Sequence, residues 1–271
     1  MQLLAQGKAG VQSTWQSMRI VFQQKHFAWF SLAHLLVHFA VCGIIMRCGL
    51  HLHQVMQMCY LFYFPGVNCV TSDMGCLAIS FLSVLAFGWV VGVLYATMLK
   101  QLFAYLRGTP ISVRAALPDR DLLISLVGYI SVHVVVMTVL TVLAVSVSIV
   151  LALVLFALWY VGMIVSLPLL VDRQCGVVHA IIDSYKVLAH RFVVVAFAVL
   201  TAIAVAYTFF LLLKFMVYWL TWLVCTILSI PVCIHLLIPY ILVLVPLILL
   251  LWYLMTVGMV LPGVLWERIK S

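Results

Sequence analysis

Between Leu122 and Val171 the chain runs for 50 residues without one acidic residue, lysine or arginine. As a single straight helix that stretch would reach about 75 Å, more than twice the roughly 30 Å hydrocarbon core of a bilayer. It must therefore fold back and cross an apolar medium twice. No glycine or proline lies near its middle, so local polarity places the turn at Ser146 and Ser148. The remainder has the same character: 68% of the 271 residues are apolar and 7% are charged, where a soluble domain carries roughly 25% charged residues. The expected fold is all-α, a polytopic transmembrane helical bundle forming a single integral membrane domain over residues 1–271.

The formal net charge of +8 would suit nucleic acid in a soluble protein, but here the charges sit between apolar segments, and their distribution reports orientation instead. Spans are expected near 27–46, 76–99, 122–145, 149–171, 192–213 and 239–262. With six spans and both termini in the cytoplasm, Lys8, Arg19, Lys25, Lys100, Arg107, Arg114, Arg120, Arg173, Lys186, Arg191, Arg268 and Lys270 lie inside, leaving Arg47 and Lys214 outside, 12 against 2. A seventh span would move Arg268 and Lys270 outside and give 10 against 4. Six is the better count, with seven as its alternative. Residues near 213–238, which carry Tyr218, Trp219 and Trp222, are then expected as an interfacial or re-entrant segment. The first 26 residues hold no early apolar core or small-residue cleavage site, so the first span is expected to act as its own insertion signal.

Two polar stretches have helical amphipathicity. Residues 11–26 place Val11, Trp15, Met18 and Phe22 on one stripe and Gln12, Gln16, Arg19 and Gln23 on another. This reads as an interfacial helix that touches lipid or packs on its own protein. Residues 176–191 place Val178, Ile181, Ile182, Tyr185 and Leu188 on one face, with His179, Asp183, Lys186 and His190 on the other. Asp183 and Lys186 are at pairing distance on such a helix. Thr109-Pro110 looks like the N-cap and first residue of a short interfacial helix in the second polar connection. The fourth span is expected to reach Pro168 and turn at Asp172-Arg173, a solvated joint that anchors orientation rather than a headgroup site.

Ionisable groups at membrane depth raise a functional question. His34 and His38 share a helix face, Cys42 continues their row, and His133 is the other histidine expected at comparable depth. These three histidines are the candidate metal ligands or proton-path groups; the alternative is hydrogen bonding inside the bundle. An i, i+4 pair cannot supply both axial ligands of one haem iron. The loop after the first span has Cys48, Cys59, Cys69 and Cys76 in it or at its edges, candidates for disulfides if it faces an oxidising compartment, with three pairings open. His51, His53, Met56 and Met58 add soft donors in that loop, though no familiar metal spacing appears. No phosphate-cradling glycine loop, zincin pair, CxxC or nucleophile elbow is present. Six acidic residues leave little scope for general acid or base chemistry.

The chain also carries an approximate internal repeat. Leu158-Trp159-Tyr160 leads through Gly162 and Pro168 to Asp172-Arg173, as Leu251-Trp252-Tyr253 leads through Gly258 and Pro262 to Glu267-Arg268. Repeat-built bundles are common among transporters. The run from Ser166 through Pro168 to Arg173, followed by an amphipathic helix with Ser184-Tyr185-Lys186, resembles a broad group of six-span bacterial inner-membrane proteins. That group is similar to the membrane domain attached to some glycerophosphodiester phosphodiesterases. The resemblance implies a helical fold in a bacterial cytoplasmic membrane and no catalytic residues; the phosphodiesterase's own catalytic domain has no counterpart here. The expected function is non-enzymatic: a transporter-like or lipid- and partner-organising bundle without a cofactor. Its partners would be membrane lipids and other membrane proteins, and no nucleic acid. The alternative is an intramembrane metal- or haem-binding protein using the buried histidines.

Overall fold

In a computed structural model, the described residues are 2–37, 39–40, 43, 69–109, 112–146, 148–228 and 232–270. They form helices and no strand: α1 (Gln2–Gln23), α2 (His26–Val37), α3 (Cys69–Leu106), α4 (Val113–Ala116), α5 (Arg120–Ser146), α6 (Ile149–Met163), α7 (Ser166–Arg173), α8 (Val177–Leu228) and α9 (Val232–Lys270). Five stretches among them are long and apolar enough to cross a membrane: Leu85–Leu106, Arg120–Leu140, Leu153–Arg173, Val177–Met216 and Ile248–Lys270. The chain is an all-α integral membrane protein. The expected first span begins as α2, and most of its second half lies outside the described residues.

The predicted serine turn is present. α5 ends at Ser146, and Ser148 caps α6 by accepting the Leu151 amide on its Oγ. At the boundary between the amphipathic stretch and the fifth span, Arg191 leaves helical geometry (φ −122°, ψ 23°) and kinks α8. Asp183 and Lys186 pair at 3.1 Å.

Other boundaries move, each for a physical reason. The short helix in the second connection is capped by Ser112, whose Oγ accepts the Ala115 amide, rather than by Thr109; Thr109 instead donates its hydroxyl back to Ala104 at the end of α3. α3 continues past Lys100 to Leu106, since the Lys100 amine finds Asp119 at 3.7 Å. The fourth span breaks before Pro168, because a proline ring clashes with the carbonyl four residues earlier, here that of Ile164. α6 accordingly ends at Met163, and α7 restarts at Ser166 with Pro168 in its first turn. Residues 213–228 are not a separate re-entrant piece but the continuation of α8, and 232–238 open α9. α8 runs on through that apolar stretch to Leu228, and Pro239, Pro246 and Pro262 are all accommodated within α9, as prolines are in membrane helices. Among the described residues the block therefore holds two long helices, not three.

Two compact units result, residues 1–31 with 182–271, and residues 32–181. In the first, α1 packs through its small residues. Thr14 donates its hydroxyl to the Ala198 carbonyl at 3.0 Å, and a Cβ built on Gly10 would stand 2.9 Å from the Ala198 amide nitrogen. Ser13, Thr14, Ser17 and Gly10 are buried, while the apolar row expected to touch lipid or pack on protein is split: Met18 is buried, but Trp15 is 62% and Phe22 78% exposed. The glutamine row stays exposed at Gln12, Arg19 and Gln23, yet it also ties α1 to α9, for Arg268 donates to Gln12 at 2.7 Å and Gln16 at 3.3 Å. In a bilayer, close approach of small residues holds helices together and apolar side chains are free to face lipid. On α8 the same inversion holds, with Ala180 and Ser184 buried and Val178 and Ile182 exposed. At the other side of this unit, the Trp252 indole N–H donates to the Ala28 carbonyl and Ser31 Oγ, and Ser31 and Thr256 share a hydroxyl hydrogen bond.

The second unit is clamped at its charged end. Asp119 caps α5 by accepting the Leu122 amide, receives Gln174 Nε2 at 3.2 Å and lies beside Lys100. Gln174 ends α7 in the left-handed region (φ 49°), its amide bonding the Leu170 carbonyl. Arg107 forms an ion pair with Asp172. The Asp172 carboxylate is 7% exposed, so the expected solvated joint is instead turned inward.

Candidate functional site

Above this clamp, α2, α3, α5 and α7 line a partly open cavity of about 340 Å³. Its walls follow from helical spacing. On α3, Gly88, Val91, Gly92 and Tyr95 recur at three and four residues; on α5, Leu126, Tyr129, Ile130, His133 and Val134 do the same. The two glycines let α5 come close, for a Cβ on Gly92 would meet Ile130 Cδ1 at 2.7 Å and one on Gly88 would meet Ile130 Cγ2 at 3.2 Å. By helical rise Tyr129 lies about 14 Å and His133 about 20 Å along α5 from Arg120, which is membrane depth.

His34 from α2 and His133 from α5 both line this cavity. Their convergence could not be read from residues 99 positions apart. His38, Cys48 and Cys59 lie outside the described residues. Among the described residues no three His, Cys, Asp or Glu side chains gather as a metal site. Cys69 and Cys76 both belong to α3; two turns of helix separate their Cα atoms by about 10 Å, beyond disulfide reach, which removes their mutual pairing from the three possibilities.

The polar groups of the cavity are held in definite states. Trp159 Nε1 donates to His133 Nδ1 at 3.1 Å, with the two rings stacked at 6.2 Å. Because an indole N–H only donates, Nδ1 is the acceptor and a neutral His133 carries its proton on Nε2. Ser166 Oγ donates its one proton within its own turn to the Met163 carbonyl at 2.7 Å, so the 2.8 Å contact between Ser166 Oγ and Tyr129 Oη is donated by tyrosine. The Tyr129 oxygen keeps its lone pairs. Asp, Glu, Lys and Arg are all absent from the described residues of the lining.

The histidines stand out in the sequence as costly groups at depth, whereas Tyr95, Tyr129 and the glycine pair do not. The signal was present in Gly88-Trp89-Val90-Val91-Gly92, the GxxxG spacing that lets membrane helices approach. The internal repeat survives in one respect. Trp159 and Trp252 each send an indole N–H to a neighbouring helix. It fails at the prolines, since Pro168 follows a helix break and Pro262 sits in an unbroken helix. No protein-family model matches the chain, and neither a curated protein nor a solved structure matches it.

Proposed function

We propose that the chain is a non-enzymatic, six-span component of a bacterial cytoplasmic membrane whose working part is the cavity between α2, α3, α5 and α7, where it holds or passes a small amphipathic molecule. The carrying observation is the cavity itself: apolar walls at membrane depth with a few convergent polar groups from His34, Tyr129 and His133, the usual form of a small-molecule site. A photoreactive amphiphile added to the detergent-purified full chain should label α3 and α5 peptides saturably, and Val91→Phe, which fills the cavity, should abolish that label. Label confined to the outward rows around Trp15 and Phe209, unchanged by Val91→Phe, would refute the proposal.

A second reading, a metal or haem protein, draws on the two imidazoles at one cavity. Elemental analysis and a visible spectrum of purified protein test it. The Trp159 hydrogen bond favours the first reading, because it leaves His133 presenting an N–H rather than a lone pair.

The proposed orientation, both termini cytoplasmic, rests on the 12-to-2 distribution of basic residues. It places the partly exposed Cys175, between α7 and α8, on the inner side. In a variant retaining Cys175 alone, an impermeant maleimide should label permeabilised cells and leave intact spheroplasts unlabelled. Labelling of intact spheroplasts would reverse the topology.

A further inference from the structure

We infer that the cavity takes an uncharged, hydroxyl-bearing amphiphile such as a long-chain alcohol. This rests on the cavity being the working site and goes further by naming the chemistry it selects.

Charge is the first discriminator. With no lysine, arginine or carboxylate among the described lining residues, a phosphate or carboxylate headgroup would lose its hydration without a countercharge from them, and an ammonium group would lose it without a carboxylate. Hydrogen-bond direction is the second. Tyr129 spends its proton on Ser166 and offers an acceptor oxygen; His133 spends Nδ1 on Trp159 and offers an Nε2–H donor. The two residues are four apart on α5, on one helix face, and both line the cavity. An ether or ketone accepts but has nothing to donate to Tyr129. A hydroxyl does both, donating to the tyrosine oxygen and accepting from the imidazole. Leu126, Ile130 and Val134 then provide an apolar bed for the chain.

Trp159 is a positioning residue in this scheme. It acts through the His133 tautomer, so its removal should alter selectivity between headgroups.

The test is competition against a diazirine-bearing fatty alcohol photolabel on the detergent-purified full chain, with decanol, decyl methyl ether and decyl phosphate as competitors. Decanol should compete about tenfold better than the ether, the value of one net hydrogen bond, and better still than the phosphate. Tyr129→Phe should erase the alcohol-over-ether preference, and Trp159→Phe should reduce it while labelling persists on the α3 and α5 peptides. The two variants also guard against misfolding in either one. Equal competition by alcohol and ether, a preference for the phosphate, or an alcohol preference unchanged in both variants would overturn the hydroxyl assignment while leaving the cavity as a site. Labelling that Val91→Phe does not suppress would overturn the cavity reading as well.

Discussion

Replacing Gly10 by leucine is expected to destabilise the detergent-solubilised protein by about 3 kcal/mol or more, at the upper end of overpacking substitutions, seen as a lower melting temperature and loss of the monodisperse chromatographic peak. The contact is backbone against backbone. A Cβ at this position would press on the Val194 carbonyl oxygen and lie 2.9 Å from both the Ala198 amide nitrogen and Phe197 Cβ. Rigid atoms of α8 cannot rotate away as a flexible side-chain end can, so α1 would have to move off. That would stretch the Thr14 hydroxyl bond to the Ala198 carbonyl and the Arg268 bonds to Gln12 and Gln16. Gly7 is a control, because a Cβ there meets only the Phe197 ring at 3.4 Å, an ordinary contact. Gly7→Ala should leave the melting temperature within a degree or two, about the change from a surface substitution. Equal melting of Gly10→Leu and Gly7→Ala would show that α1 does not depend on this crossing.

The same crossing explains what could and could not be read from the residues. That the chain crosses a membrane in several apolar helices was legible because apolarity is the condition for crossing a bilayer at all, and the Ser146–Ser148 turn stood out as the polar interruption of an uncharged run. Helix faces were not legible by the rule that serves soluble proteins. Trp15 and Phe22 look like a core stripe in water, yet they face outward, while Gly10, Ser13, Thr14 and Ser17 make the contact. An amphipathic interfacial helix can turn such a row to lipid, one of the two placements its pattern allows. Pro168 marked the right joint but the break falls before it, as its clash with the Ile164 carbonyl requires. For the cavity, residue type pointed to His34 and His133 as costly groups at depth. Their shared location depends on how α2 and α5 sit against α3, where the Gly88–Gly92 approach to Ile130 decides it.

At the charged end of the second unit, Arg107→Ala should cost about 2–3 kcal/mol, less than the 3–5 kcal/mol of a fully buried pair because the arginine is partly solvated. The two partners are unequal: the Asp172 side chain is 7% exposed and that of Arg107 43%. Removing the arginine takes a countercharge from the buried member of the pair, whereas Asp172→Asn leaves a guanidinium that already reaches water. Asp172→Asn should therefore cost only about 1 kcal/mol, within the range for exposed pairs. The double variant Arg107→Leu with Asp172→Leu should recover part of the loss, since no charge is then left inside without its counterpart. Heat or denaturant melts in one detergent compare all three. The ordering itself is the test: Arg107→Ala worst, the double variant intermediate, Asp172→Asn mildest. If Asp172→Asn proved as damaging as Arg107→Ala, the carboxylate's other interactions would be the more important ones, and the clamp would depend on Asp172 rather than on the pair. Because α7 follows this clamp and supplies Leu167 to the cavity and Ser166 to Tyr129, Arg107→Ala should also weaken photolabelling of the cavity, although Arg107 does not line it.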